Sequence, residues 1–193
     1  MGLSLAARAE REVISLGAAY ALFSDDASDG IMRGPGFYLY GLSQPKKEIP
    51  LALICDAVFS FPDTITISGV EYDSDIVDGL VNIDMILGLA YTRSFASEQI
   101  WINAGGGVYF STINCWVDSL SSFDFLFGTG LSAGIQFKPS KHLFFEAGIH
   151  SALAFLDYWK ISMNSIRGHY KESGTSFGIY CDLAARLGVG IQY

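Results

Sequence analysis

The 193-residue chain lacks a long apolar run that would suit a transmembrane helix. The best candidate is the uncharged stretch 99–117, which includes three consecutive glycines at 105–107. Glycine in a helix interior costs about 1 kcal/mol relative to alanine, whereas a membrane-spanning helix needs about 20 predominantly apolar residues. The chain is nevertheless 50% hydrophobic and only 17% charged. Its apolar side chains therefore call for a structure other than a helix bundle.

Basic residues and cysteines are also few. The 12 Lys and Arg residues against 20 Asp and Glu give a net charge of −8, and nothing resembles the basic stripe of a nucleic-acid-binding surface. Cys55, Cys115 and Cys181 are odd in number and lack C-x-x-C spacing, which excludes a complete disulfide framework and disfavours a metal site. We expect no nucleic-acid partner, no metal and no cofactor.

The start of the chain lacks the charged region and the apolar core, about 7 to 15 residues long, of a complete signal peptide. We interpret residues 1–12 as a leader remnant or N-terminal extension. The remainder, 13–193, has the length of one domain.

What the sequence does contain is alternation, most clearly in its last stretch, 177–193. One face carries Phe177, Ile179, Cys181, Leu183, Ala185, Leu187, Val189, Ile191 and Tyr193. The other face carries mainly glycine, alanine and polar residues. This period of two is typical of a β-strand. At about 3.3 Å per residue and a tilt of roughly 40°, the strand would rise on the order of 40 Å, more than the apolar band of about 25 Å of an outer membrane.

Seven further segments alternate in the same way. With the last stretch, the predicted strands are 13–23, 36–42, 51–61, 80–91, 100–111, 123–137, 143–155 and 177–193. Short turns are predicted at 44–50, 93–99 and 138–142, and longer loops at 24–35, 62–79, 112–122 and 156–176, of which 62–79 continues as a protruding β-ribbon. The pattern predicts an all-β fold, an eight-stranded antiparallel up-and-down transmembrane β-barrel, with both termini periplasmic.

A soluble barrel of the lipocalin type is the main alternative, because it also alternates but hides its apolar face around a ligand. The side-chain volumes on the two faces favour the membrane barrel over the soluble barrel. Small residues such as Ser15, Gly17 and Ala19 fit a narrow interior, whereas the bulky faces need an apolar surround.

Arg186, Gly188, Ile191 and Tyr193 form a C-terminal pattern of a polar residue, a glycine and two apolar residues, the last of them aromatic. This pattern resembles the C-terminal assembly signal of outer-membrane barrels. With the stretch 139–148, it makes the chain similar to the small barrels around OmpA, OmpX, OmpW and the neisserial opacity proteins. The resemblance implies an outer membrane of a diderm bacterium, contact with its lipids, and recognition of the C-terminal strand by the barrel-assembly machinery.

A polar network is predicted inside the barrel. A single antiparallel register would place Glu146 opposite Arg186 and His150 opposite Asp182. Asp56 and Asp84 face inward on their strands and would extend the network. Because an unpaired buried charge is strongly destabilising, we interpret these residues as a structural plug rather than as a gated ion path.

The external loops would form an interaction surface, which we assign to Asp73, Asp75, Asp78, Trp159, Arg167 and Lys171. Catalysis is not expected, since the adjacent His150 and Ser151 point to opposite faces. The predicted function is therefore a structural or adhesin-like surface role through these loops. A small OmpW-like channel for apolar or small polar solutes is the alternative.

Overall fold

The computed structural model describes residues 10–25, 30–46, 48–73, 77–165 and 168–193. These residues form ten β-strands. Their bounds are β1 Arg11–Asp25, β2 Gly30–Gln44, β3 Leu51–Ser60, β4 Thr64–Ile67, β5 Val70–Asp73, β6 Gly79–Phe95, β7 Ile100–Val117, β8 Leu120–Phe137, β9 Leu143–Ser165 and β10 Gly168–Gln192. In this part of the chain, no helix has the length and hydropathy needed to cross a membrane.

Eight of these strands close into a ring in the order β1, β10, β9, β8, β7, β6, β3 and β2, and β1 also pairs with β2. Every pairing is antiparallel. Ring closure leaves no unpaired edge among the eight strands. The predicted eight-stranded up-and-down barrel is confirmed, and the short strands β4 and β5 add a hairpin to the end of β2.

The barrel has two different ends. At the end that we call the turn end, short connections join β2 to β3, β6 to β7 and β8 to β9. The backbones of Glu12 and Tyr193 exchange hydrogen bonds there, so both described chain ends lie at this end. The opposite end, which we call the hairpin end, carries the β4–β5, β7–β8 and β9–β10 hairpins.

Three of the predicted loops are wrong in extent. Residues 30–35 of the predicted loop 24–35 already belong to β2. Residues 112–122 continue β7 and β8 up to a tip at Asp118, and most of 156–176 belongs to β9 and β10. Strand β9 has 23 residues, a length that rises roughly 58 Å at about 3.3 Å per residue and a 40° tilt. Beyond the apolar band both faces of a strand can meet water, so the alternation fades although the backbone pairing continues.

The start of the barrel also differs from the prediction. Strand β1 begins at Arg11, so the paired chain starts before residue 13. The Arg11 side chain is fully buried inside the ring. The predicted leader remnant otherwise falls mostly on residues 1–9, which lie outside the described residues.

Side chains alternate between the outer and the inner face of each strand, as the sequence predicts. Large apolar side chains point outward, and Leu16, Leu131 and Leu187 expose 62%, 68% and 66% of their surface. Outward aromatic rings pack on one another, as in the stacked pair Phe37 and Phe59 with ring centroids 4.7 Å apart. An apolar surface of this extent on a monomer marks contact with a membrane or another apolar partner.

Glycines make room in the middle of the ring. Gly88, Gly107 and Gly130 are neighbours on the consecutive strands β6, β7 and β8. A Cβ atom on Gly107 would lie 2.0 Å from the Leu87 carbonyl oxygen. A Cβ atom on Gly130 would lie 2.5 Å from the side chain of Ile86. The glycine row therefore lets the strands and the luminal side chains approach one another closely.

Replacing Gly107 by alanine should destabilise the barrel, because the added methyl group meets backbone atoms that cannot move away. Overpacking of this kind costs about 1 to 3 kcal/mol. Urea unfolding of the refolded protein in lipid vesicles measures the change. The control is Gly41→Ala, whose added Cβ would meet no atom closer than 3.9 Å. Equal stability of the two variants would contradict the packing argument.

Candidate functional site

A column of polar side chains runs through the lumen, with Asp56 of β3 at its centre. The Arg186 Nη1 atom of β10 lies 2.5 Å from Asp56 Oδ1. His150 of β9 stands between two carboxylates: its Nδ1 atom lies 3.6 Å from Asp56 Oδ2, and its Nε2 atom lies 3.2 Å from Asp182 Oδ2. All four side chains are buried. The imidazole and the guanidinium thus hold together carboxylates from different strands.

Glu146 continues the column toward the turn end. Its Oε1 atom lies 3.6 Å from Arg186 Nη2, and its Oε2 atom accepts hydrogen bonds from Ser15 Oγ and Gln136 Nε2, both at 2.9 Å. Arg186 Nη2 also donates to Ser132 Oγ at 3.1 Å. The two hydrogen bonds to Oε2 and the ion pair at Oε1 offset the cost of burying the Glu146 carboxylate.

Arg11 ends the column at the turn end. It donates to Gln136 Oε1 at 2.7 Å, to Thr92 Oγ1 at 3.0 Å and to Gln192 Oε1 at 3.2 Å. Its guanidinium carbon lies 3.8 Å from the centre of the Trp101 ring, which is a cation–π distance. One arginine therefore joins side chains from four other strands.

Asp84 extends the column toward the hairpin end. Its Oδ1 atom accepts a hydrogen bond from Tyr109 Oη at 2.6 Å, and its Oδ2 atom accepts one from Asn82 Nδ2 at 2.8 Å. The Tyr109 ring meets the His150 ring edge to face, with centroids 6.1 Å apart. The column is thus continuous from Arg11 to Asp84.

The predicted register between the last two strands is wrong, although the predicted side-chain pairs do meet. Glu146 lies opposite Gly188 and His150 lies opposite Ala184, a shift of two residues from the prediction. A two-residue shift keeps every side chain on its face, and diagonal neighbours remain within reach of long side chains. Charge matching alone could not find the register, because the pairing of β9 with β10 is irregular between Phe177 and Tyr180.

Sequence reasoning missed several members of the column. Arg11 fell in the segment interpreted as an extension, although it has the same parity as the inward-facing Val13 and Ser15. Gln136 and Tyr109 lie within the predicted strands 123–137 and 100–111, but the sequence predicts no partner for either residue. Parity in the strand could have found Arg11, but the partner of each residue depends on strands far apart in the chain.

Large side chains fill the lumen around the column. Tyr38, Tyr40, Tyr109, Phe144, Ile86, Leu126, His150, Gln136, Glu146 and Arg11 are among the largest that are less than 2% exposed. Arg186 also lies 4.5 Å from the centre of the Tyr40 ring. The described part of the lumen is therefore packed rather than open around these residues.

A separate pocket of about 360 Å³ lies at the hairpin end, above the column. Its walls are mainly apolar and include Phe23, Leu80, Ile113 and Leu126 from the ring and Ile65 from β4. Acidic residues also line it: Asp25, Asp124 and Asp157. Strand β4 and the ring strands line this space, which is open on one side.

The predicted loop surface is divided between two hairpins. Asp73 ends β5, and Asp78 lies just before β6, where its carboxylate accepts a hydrogen bond from the Asp118 backbone. Lys171 is exposed on β10, whereas Trp159 is only half-exposed and packs against Gly174. Asp75 and Arg167 lie outside the described residues. The role of these residues in an interaction stays a prediction.

The predicted C-terminal signal lies along the seam between β10 and β1. Gly188 pairs with Gly17, and Ile191 pairs with Ile14. Arg186 points into the lumen, whereas Ile191 and Tyr193 are exposed. Recognition of this strand by assembly factors stays a prediction.

Among the described residues, no group of three or more His, Cys, Asp or Glu side chains is arranged to hold a metal ion. His150 is buried in the lumen, and the neighbouring Ser151 pairs on the opposite face with Leu131 and Leu183.

No family model and no curated protein matches the chain. Solved structures do match nearly its whole length. The outer-membrane protein OprG of Pseudomonas aeruginosa has 12% identity and a TM-score of 0.63, with 96% of each chain covered. A major outer-membrane protein of Thermus thermophilus has 12% identity and a TM-score of 0.65, with 95% of this chain and all of that one covered.

The attachment invasion locus protein Ail of Yersinia pestis is similar at 14% identity and a TM-score of 0.56, over 95% of this chain and 98% of that one. A second structure of Ail contains the heparin analogue sucrose octasulfate. At these identities the similarity is one of fold.

Replacing Arg186 by methionine should lower stability strongly, because it leaves Glu146 buried without its cation and leaves Asp56 with only His150 beside it. Removing one partner of a buried ion pair costs about 3 to 5 kcal/mol. Urea unfolding in lipid vesicles measures the loss, and the barrel should still insert. The control is Arg93→Met on the exposed end of β6.

The double variant Asp56→Asn/Arg186→Met gives a further check on the ion pair. Because each change removes the need for the other partner, the double variant should lose less stability than the two single changes added together. Additive losses of unfolding free energy, or an unchanged urea midpoint for Arg186→Met, would contradict the stabilising role of the ion pair.

Proposed function

We propose that this chain, which has the fold of the small outer-membrane β-barrels, resides in the outer membrane of a diderm bacterium. Its outward apolar side chains would contact lipid, and its turn end, with both termini, would face the periplasm. The alternation of short connections at one end with long hairpins at the other supports this orientation. The barrel-assembly machinery would recognise the C-terminal signal on β10.

Single cysteines test the orientation in intact cells. In a background without Cys55, Cys115 and Cys181, Tyr72→Cys on the β4–β5 hairpin should react with a membrane-impermeant maleimide. Lys141→Cys in a turn at the opposite end should react only after the outer membrane is permeabilised. The reverse labelling pattern would contradict the proposed orientation.

The packed lumen is the observation that carries the proposed role. A barrel whose interior is filled by a column of paired charges leaves little room for solutes, so its function would lie at the hairpin end. There the strands extend as paired ribbons rather than loose loops. Such ribbons present side chains on a rigid support, which suits a structural or adhesin-like surface role. No catalytic role is proposed.

The charge at the hairpin end bears on the kind of partner. Acidic side chains predominate among the described residues there: Asp25, Asp63, Glu71, Asp73, Asp78, Asp118, Asp124, Asp157 and Glu172. Glu71 also neutralises the basic Arg33, with their side-chain atoms 2.7 Å apart. Ail was solved with a polyanionic heparin analogue, whereas this end would favour a neutral or cationic partner.

A small channel for apolar or small polar solutes is the second candidate. The apolar pocket at the hairpin end favours it, because the pocket would give such a solute a place to enter. Passage would then require the side chains of the column to move.

Conductance in planar bilayers separates the two candidates. The wild-type barrel should be electrically silent, whereas Glu146→Ala/Arg186→Ala should conduct because it removes two large side chains and their link from the lumen. The control Glu71→Ala/Arg33→Ala removes an exposed Glu–Arg pair outside the lumen and should stay silent. Steady, discrete openings of the wild type would favour the channel instead.

A further inference from the structure

We propose that the pocket at the hairpin end binds an amphipathic organic cation: a primary or secondary ammonium group attached to an apolar body. The inference deepens the proposed surface role by naming a ligand class. It rests on that role only for the side of the membrane from which the ligand arrives.

Asp157 supplies the first observation. Its side chain is 7% exposed and lines the pocket. The Oδ2 atom accepts hydrogen bonds from Ser176 Oγ at 3.1 Å and from Tyr180 Oη at 3.2 Å. The Oδ1 atom, also buried, accepts none from any described residue. A buried carboxylate oxygen without a donor is costly, so this atom calls for an N–H or O–H group from a ligand.

The acidic side chains around Asp157 favour a positively charged ligand. Asp25 and Asp124 line the same pocket, and the negative charges of Asp25 and Asp157 both act on Asp124. The carboxylates of Asp124 and Asp157 repel each other across this space, and a cation between them relieves the repulsion. The electrostatic field of the pocket thus favours a positive donor over a neutral one.

The walls select an organic cation over a metal ion. Calcium needs six to eight oxygen ligands in its shell, but most of this pocket is lined by apolar groups such as Phe23, Ile113 and Leu126. Burying an apolar part of the ligand against those walls would stabilise the complex. The volume of about 360 Å³ falls at the lower end of the range of small-molecule sites.

Binding can be measured directly with a matched pair of probes. Phenylbutylammonium and phenylbutanol share one apolar body and differ in charge at the terminal group. Calorimetric titration of the barrel in nanodiscs of zwitterionic lipid, with empty nanodiscs as blank, should show saturable binding of the ammonium. The alcohol should bind at least about tenfold more weakly, because it lacks the charge-assisted hydrogen bond.

Two isosteric variants test the assignment of Asp157. Asp157→Asn should weaken ammonium binding at least about tenfold and leave phenylbutanol binding nearly unchanged. Asp118→Asn makes the same change at the exposed tip of the β7–β8 hairpin, outside the pocket, and should bind the ammonium like the wild type. Equal affinity for the two probes, or equal losses in both variants, would overturn the proposal.

A second readout does not depend on the folding of the Asp157 variant. Cys115 lines the pocket, whereas Cys55 and Cys181 are exposed on the outer face. In a Cys55→Ala/Cys181→Ala background, saturating phenylbutylammonium should slow alkylation of Cys115 severalfold, and phenylbutanol at the same concentration should slow it less. An unchanged rate would overturn the proposal, as would displacement of the ammonium by equimolar Ca²⁺. A conducting wild-type barrel that still binds the ammonium would contradict only the closed lumen.

Discussion

The close pair of Arg186 and Asp56, 2.5 Å apart, joins two strands that are not neighbours in the ring, and most of the lumen is arranged around it. A ring of eight strands is too narrow to keep bulk water around a charge, so each buried charge needs a partner. His150 attaches Asp182 to the same carboxylate, and Glu146 shares the same guanidinium. Gly148 of β9 matters for the same reason, because a Cβ atom there would lie 2.6 Å from Arg186 Nε.

The lumen is divided along its length, and this division shapes the proposed function. On the side of the turn end, the polar column from Arg11 to Asp84 links the strands through hydrogen bonds and ion pairs between side chains. Nearer the hairpin end, Phe23, Ile113 and Leu126 form an apolar layer, and acidic residues line the same pocket. The polar column thus holds the strands together, and the pocket at the hairpin end has the chemistry of a binding site. A surface role and a ligand pocket are compatible because they use the same end of the barrel.

Much of the fold can be predicted from the sequence, and the errors have physical causes. The alternation of 177–193 and of 80–91 identifies both faces of β10 and β6, because an apolar surround and a narrow lumen favour opposite residue types at successive positions. The same reasoning fails for residues 112–122 and 156–176, because paired strands beyond the apolar belt of the barrel need no apolar face. The column is predicted in part: Glu146, His150, Asp182 and Arg186 are found by parity and charge, whereas Arg11, Gln136 and Tyr109 are missed. Their partners lie on strands up to 181 residues away in the chain.

The sequence by itself determined the fold class, the inward or outward direction of most side chains, and the presence of charges that had to be paired. These are local properties, since each follows from a residue type and its parity in a strand. Only the tertiary structure decided which charges meet, because the pairing of β9 and β10 contains an irregularity near Phe177 that shifts their register. It also decided that Asp25, Asp124 and Asp157 share one apolar pocket. That proximity arises from the closure of the ring, which brings β1, β8 and β9 to a common space that no local pattern records.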